Sequence, residues 1–126
     1  MANAVYIPGV CNIGPAEIRS RQRVGIAGLT LTIVFFILAV LLAFPPAVRL
    51  IVILPGAMAA NGYIQAWMHF CVRFGTTGLF NVSDSLGKTE SVDQKEYRRK
   101  DQRKAISIIA LSLLIGVAIG LLLFFL

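Results

Sequence analysis

Three long stretches without acidic or basic residues dominate this chain of 126 residues, apart from a single histidine, His69. They run from Val24 to Phe44, from Leu50 to Val72 and from Ala105 to Leu126. Each is about 21 to 23 residues long, and a helix that rises about 1.5 Å per residue needs about 20 residues to cross a hydrocarbon core of about 30 Å. The stretches therefore predict three membrane-spanning helices.

The composition agrees with an all-α integral membrane protein. Hydrophobic residues make up 57% of the chain and charged residues 14%, and the mean hydropathy is +0.79. The apolar stretches lack the alternation of polar and apolar residues that marks membrane β-strands, which excludes a barrel. The first stretch begins after residue 23 and has no small-residue cleavage site before Pro45-Pro46, so we expect it to be retained rather than removed as a signal peptide.

The basic residues predict how the spans are oriented. Of the twelve Lys and Arg residues, three precede the first stretch, one lies between the first two, and eight lie between Arg73 and Lys104. Since Lys and Arg favour the cytoplasmic side, the N-terminus and the long loop should be cytoplasmic and Leu126 outside. We expect the basic loop to meet anionic lipid headgroups; its interleaved acids and lack of stacking aromatics argue against a nucleic-acid partner.

Helix-ending residues divide the chain into four parts. Residues 1–14 form a cytoplasmic tail, 15–81 a transmembrane hairpin, 82–91 a cytoplasmic loop, and 92–126 a long helix that begins in the cytoplasm. Pro45-Pro46 ends the first helix and leaves only a short turn, so the first two helices should be antiparallel. Capping-box spacing in Ser91-Val92-Asp93-Gln94 predicts that the third helix begins near Val92.

Four polar residues recur every four positions in and after the second stretch: Asn61, Gln65, His69 and Arg73. On one continuous helix they would form a single stripe. Amides in lipid are costly unless they are paired. The stripe should therefore face another helix, a partner or a wet cavity.

The two cysteines, Cys11 and Cys71, allow three interpretations. A metal site with His69 is chemically permissible but falls short of the usual four ligands. Thiol chemistry is the second, because nearby arginines favour a thiolate. In the third, Cys71 is a small buried hydrophobic residue. Motifs of catalysis or phosphate binding are absent, so we predict no enzyme, no catalytic residue, no metal and no cofactor.

Small residues predict where helices approach closely. Gly25 and Gly28 leave room for the second helix on the first. Ser112, Gly116 and Gly120 recur every four residues on the third helix, a spacing that allows two helix backbones to approach. The partner of that face is either the hairpin or another subunit.

The first half of the chain resembles a known family in several short motifs: Asn12-Ile13-Gly14, Glu17, Arg21, Gly25, and Phe70-Cys71 with Gly78 seven residues later. The pattern is similar to the YgaP-like transmembrane domain, a bacterial inner-membrane domain, over residues 12–81. The chain departs from it at Val72, where the family has proline, at Ile18, where arginine is usual, and in its third helix. The resemblance implies a two-helix hairpin in a bacterial inner membrane. Some members are fused to rhodanese domains, which handle sulfane sulfur. The resemblance therefore favours the thiol interpretation of Cys71.

A hairpin would bring the start of the first helix to the end of the second. Asn12, Glu17 and Arg21 should then lie near His69, Arg73 and Asn81 and form a polar lock at the cytoplasmic end. Glu17 has two possible partners there, Arg21 and Arg73.

These observations predict a three-span inner-membrane accessory, scaffold or assembly protein that works in a homo-oligomer or with other membrane-protein subunits. Two alternatives remain. One is a sulfur or redox carrier that uses Cys71 with Cys11. The other is an oligomeric channel or transporter subunit, in which Asn61, Gln65 and His69 line a wet interface.

Overall fold

The computed structural model of the protein describes residues 5–126, which are mostly helical. Three helical stretches are long and apolar enough to cross a membrane: Pro15–Leu41, Pro46–Met68 and Lys95–Phe124. The number of candidate spanning helices predicted from the sequence is confirmed.

The first stretch is one uninterrupted helix, α1 (Pro15–Leu41). Pro15 occupies its first turn, where a missing N–H costs nothing. The chain leaves the helix through Ala43, which has a positive φ of 53°, and passes through Pro45 directly into the next helix.

The second stretch is built from three pieces: α2 (Pro46–Arg49), a 3₁₀ turn (Leu50–Val52) and α3 (Ile53–Met68). In a regular helix the N–H of residue 55 would donate to the carbonyl of Ile51, but Pro55 has no N–H. Ile51 lies in the 3₁₀ turn rather than in an α-helix. The proline is therefore placed in the first turn of α3, where it does not interrupt a regular helix.

The end of α3 departs from the sequence expectation of a continuous helix to Val72. Residue His69 adopts the left-handed conformation, with φ 54° and ψ 43°. The N–H of Phe70 donates to the carbonyl of Gln65 at 3.0 Å and that of His69 to Ala66 at 3.4 Å, the pairing that closes many helices. A short helix, α4 (Val72–Thr77), then follows in a new direction.

Two short paired strands hold the ends of the loop after α4 together. Strand β1 (Leu79–Phe80) pairs antiparallel with β2 (Glu90–Ser91), Leu79 opposite Ser91 and Phe80 opposite Glu90. Val92 also donates its N–H to the carbonyl of Gly78 at 2.8 Å. Because Ser91 and Val92 are held in this ribbon, the last helix, α5 (Lys95–Phe124), begins at Lys95 rather than near the predicted Val92.

Helix α3 lies between α1 and α5, which have few direct contacts with each other. A Cβ added at Gly28 would lie 2.5 Å from the backbone nitrogen of Ala59, and one at Gly116 would lie 2.9 Å from Cβ of Ala57. Both helices therefore approach α3 closely through glycines.

Apolar side chains on the long helices point outward more than inward. Leu54 is 73% exposed and Leu114 67%, whereas many of the buried residues are small or polar. This distribution is the reverse of that in a water-soluble domain and suits helices surrounded by lipid.

One arginine joins the helix ends farthest from the N-terminal segment. The Nε of Arg49 donates to the carbonyl of Phe44 at 2.9 Å, and its Nη1 to the carbonyl of Leu123 at 3.3 Å. Both carbonyls lie at or beyond the end of a helix, where the regular backbone partners run out; the Leu123 carbonyl also accepts from the N–H of Leu126 at 3.3 Å.

Candidate functional site

Polar side chains gather where α1 begins, α3 ends and α5 begins; we call this the polar end. The segment before α1 turns back on itself through Pro8 and Gly9, with Ile7 and Cys11 exchanging backbone hydrogen bonds at 2.9 Å. Ile13 then pairs in parallel with Asn81. The chain thus brings residues 11–14, 69–72 and 81–87 together.

The side chain of Asn12 forms hydrogen bonds with the backbone just after the end of α3. Its side chain is completely buried. Its Oδ1 accepts from the N–H of Cys71 at 2.6 Å, and its Nδ2 donates to the carbonyl of Cys71 at 3.1 Å. Its own N–H donates to the carbonyl of His69 at 3.1 Å, and its carbonyl accepts from Asn81 at 2.9 Å. Asn12 therefore joins three separate segments.

Gln65 performs a similar task from within α3. Its Oε1 accepts from the N–H of Val72, the first residue of α4, at 2.8 Å. Its Nε2 donates to the backbone carbonyl of Asn61 at 3.2 Å and also contacts the side-chain oxygen of Asn61. The two amides are thus paired with each other and with the backbone.

Glu17 holds the loop that follows β1. One carboxylate oxygen accepts from Nδ2 of Asn81 at 3.2 Å and from the N–H of Gly87 at 3.1 Å. The other lies 3.5 Å from Nη2 of Arg21. Of the two cations that the sequence offered, Arg21 is the one that Glu17 contacts in the described residues.

Arg21 also contacts the thiol of Cys71. Its Nη2 donates to Sγ of Cys71 at 3.0 Å. Cys71 is only 1% exposed. The residues discussed so far, Asn12, Glu17, Arg21, Gln65, Cys71 and Asn81, form what we call the polar cluster.

Cys11 faces a different partner. Its thiol donates to the carbonyl of Ile13 at 3.5 Å, and burial raises the pKa of Cys11. Both cysteines are free. Within residues 5–126, no group of three or more His, Cys, Asp or Glu side chains could hold a metal ion.

The predicted stripe of four polar residues is divided. Asn61 and Gln65 lie on α3, but His69 is in the left-handed residue that ends this helix and Arg73 is on α4. Both His69 and Arg73 are exposed. The expectation of one continuous stripe is wrong because the helix ends at Met68.

The residues predicted for helix packing face α3. A Cβ on Gly25 would lie 2.9 Å from the ring of Tyr63. On α5, Gly116 and Gly120 lie against Ala57 and Ile53, and the hydroxyl of Ser112 donates to the carbonyl of Ile108 at 2.8 Å. This face of α5 is therefore occupied within the chain.

A second buried contact was not anticipated from the sequence. Asp101, on α5, is fully buried and accepts from the hydroxyl of Tyr6 at 2.7 Å and from the N–H of Gly9 at 2.8 Å. The ring of Tyr6 stacks on Phe80, with centroids 4.4 Å apart. Burial, together with the hydrogen bond to Asp101, raises the pKa of Tyr6. The only signal in the sequence was an acidic residue within a run of basic ones.

Comparison of the chain with known protein families, with curated proteins and with solved structures found no match. The geometry of the polar end therefore carries the functional argument by itself.

Proposed function

We propose that the protein is a small three-span accessory or assembly subunit of a bacterial inner membrane. In this proposal α1 and the second helical stretch form an antiparallel transmembrane hairpin, α5 is the third span, and the polar end is cytoplasmic. The protein acts through its lipid-facing helix surfaces, in a homo-oligomer or with other membrane-protein subunits. No catalytic residue, cofactor or nucleic acid is part of the proposal.

The observation that carries the proposal is the way in which the polar side chains are used. Asn12, Gln65 and Glu17 are bonded to the backbone of the same chain, and the glycines of α1 and α5 are turned towards α3. Most of the hydrogen bonds of the polar cluster thus stabilise the fold. The exposed apolar surface of the long helices is then available to a partner.

The charge distribution supports the orientation. Eleven of the twelve Lys and Arg residues lie in or near the polar end, and Arg49 alone lies towards the other. Cytoplasmic segments of membrane proteins carry such an excess.

The contacts also support kinship with the YgaP-like domain. Asn12, Glu17, Arg21 and Cys71, which carry the resemblance, contact each other or share a partner at the polar end. We therefore propose that residues 12–81 are a divergent form of that domain to which a third helix has been added.

Association in the membrane can be tested with single cysteines on α1, introduced into a chain in which Cys11 and Cys71 are replaced by serine. Leu31→Cys lies on the exposed face and Thr32→Cys on the buried face. A thiol crosslinker applied to membranes should join Leu31→Cys chains to each other or to one recurrent partner, and Thr32→Cys chains should react much less. Mild-detergent purification of the same membranes should recover the crosslinked species intact. The proposal would be overturned if both experiments gave only monomers and if cysteines at other exposed positions of α1 and α5 also gave only monomers.

A second candidate function is a sulfur or redox carrier based on Cys71, because Nη2 of Arg21 lies 3.0 Å from its Sγ. A guanidinium at this distance is the kind of partner that stabilises a thiolate. If Cys71 is a carrier, a small thiol probe should modify it in native membranes and Cys71→Ser should abolish activity in the cell. Arg21→Gln should slow the modification, whereas Arg19→Gln, an exposed neighbour on the same helix, should not. An inert and dispensable Cys71 would remove this candidate.

A further inference from the structure

A groove runs along α3. It is bordered by α1 and α4 near the polar end, where Arg21 and Arg73 lie, and by α1 and α5 farther along. Its part near the polar end is a cavity of about 320 Å³, lined by Arg21, Val24, Asn61, Gln65, Cys71, Val72 and Arg73. A second cavity of about 240 Å³ shares Val24 and Asn61 with the first and extends to Met58, Ile109 and Leu113. Because the two cavities are neighbours with two lining residues in common, we treat them as one groove, whose lining changes from polar to apolar.

The polar part of the groove has the charge of an anion site. Its lining contains two guanidinium groups and no carboxylate. Arg21 uses Nη2 for Glu17 and Cys71, and the hydrogen bonds of the described residues leave its Nε and Nη1 free. Arg73 is exposed and makes no ion pair with any residue from 5 to 126. Planar guanidinium groups of this kind bind phosphate oxygens.

Asn61 stands where the two parts meet. Its side-chain oxygen contacts Nε2 of Gln65, and its amino group makes no hydrogen bond to another of the described residues. An amide donor on a residue that lines both parts suits an ester or phosphate oxygen of a lipid.

The apolar part of the groove has a lining that suits an alkyl chain. The two parts together extend eight helix steps along α3, from Gln65 to Ala57, or about 12 Å at about 1.5 Å per residue, and the apolar part from Asn61 to Ala57 supplies about 6 Å of that length. The walls here are aliphatic, apart from Asn61 and Ser112, and Ser112 donates within its own helix.

We propose that this groove binds one anionic phospholipid of the surrounding bilayer. The phosphate lies between Arg21 and Arg73, and one acyl chain lies along α3 between Val24 and Leu113. Basic pockets between membrane helices are known to recognise such headgroups. The inference rests on the proposed placement of the helices in a bilayer.

The test is a titration of the full-length protein in neutral detergent with phosphatidylglycerol, with bound lipid counted by native mass spectrometry. We expect one lipid to bind saturably, and more tightly than phosphatidylcholine with the same chains. Arg73→Gln should weaken binding about fivefold, the effect of one basic residue near a headgroup. The matched control Arg19→Gln removes the same charge from an exposed position outside the groove and should leave binding unchanged.

A second pair of variants examines the acyl-chain part. Leu113→Trp should fill the groove and weaken binding, whereas Leu114→Trp, on the exposed face of α5, should not. Inorganic phosphate should fail to displace the lipid, because it lacks the chain. Circular dichroism and thermal unfolding of each variant identify any loss of fold.

Three results would overturn the inference: equal weakening by Arg73→Gln and Arg19→Gln, equal affinity for the two lipids, or full displacement by inorganic phosphate. A protein that is recovered in the soluble fraction rather than with membranes, or that does not insert into liposomes, would contradict the membrane proposal itself. A protein that inserts normally but retains no lipid would contradict only the lipid site.

Discussion

Asn12 illustrates how a single side chain can make a helix break possible within a small helical protein. The left-handed His69 ends α3, and the N–H of Cys71 then has no helical partner, whereas its carbonyl accepts from the N–H of Gly75 in α4 at 2.9 Å. The side-chain oxygen of Asn12 accepts from that N–H, and its amino group is a second donor to the carbonyl. A buried backbone group without a partner costs about 1 to 3 kcal/mol, so the break depends on this residue.

We expect Asn12→Ala to lower the free energy of unfolding by about 1 to 3 kcal/mol, because it removes the acceptor of the buried N–H of Cys71 and one of the two donors to the Cys71 carbonyl. The change can be measured by thermal or denaturant unfolding in detergent. Gln102→Ala, which removes an exposed amide from α5, should have little effect. If the two variants were equally stable, the pairing between Asn12 and Cys71 would not contribute as described.

Tyr6 gives the polar end a dependence on alkaline pH. The pKa of Tyr6 is raised in the folded protein, so the neutral phenol is favoured by folding. The stability that follows is fully present below the ordinary tyrosine pKa of about 10 and is lost as pH rises above it.

Tyr6→Phe should therefore lower the melting temperature at neutral pH, because Asp101 loses a hydrogen bond worth about 1.5 kcal/mol. The difference between wild type and Tyr6→Phe should shrink as pH rises beyond about 10. Since lysines titrate in the same range, only this difference is informative. A difference that stayed constant up to strongly alkaline pH would contradict the role of the Tyr6 hydroxyl.

Among the helices and strands, the parts that could be predicted from sequence are those determined by local composition. Uncharged apolar runs of about 20 residues predict three long helices, because that length of helix crosses a bilayer. Pro15 and Pro45 mark helix boundaries, because proline fixes its own φ and lacks an N–H. The end of α3 could not be predicted, because His69 is in a conformation that glycine usually supplies, and the spacing from Asn61 to Arg73 fits a longer helix. The contacts of Asp101 with Tyr6 and Gly9 were missed because no local pattern links residues more than 90 positions apart.

The packing of α1 on α3 predicts a position-specific effect. Gly28→Leu should lower the free energy of unfolding by about 2 to 3 kcal/mol, because its side chain would meet the backbone of Ala59. Ala27→Leu adds a leucine one residue earlier, on the exposed face, and should be close to neutral. Denaturant unfolding of both variants in the same detergent makes the comparison. Equal effects would mean that α1 does not approach α3 through Gly28.

For the whole molecule, the proposed orientation predicts which positions are accessible from outside the cell. A membrane-impermeant thiol reagent should label Phe125→Cys in intact cells, because Phe125 is 80% exposed at the end proposed to lie outside. Asp84→Cys, in the exposed loop of the polar end, should be labelled above the native background only after the membrane is opened. The reverse pattern would require the opposite orientation.

The long-range contacts of the polar end also constrain how the protein is made. Tyr6 and Asp101 are separated by 95 positions, and Asn12 and Cys71 by 59. At about 5 to 20 residues per second, a ribosome needs about 5 to 20 s to proceed from Tyr6 to Asp101. During that time the N-terminal segment has no partner on α5. Residues among the first to be synthesised are thus among the last to reach their final contacts, and the polar end can close fully only after Asp101 has been made.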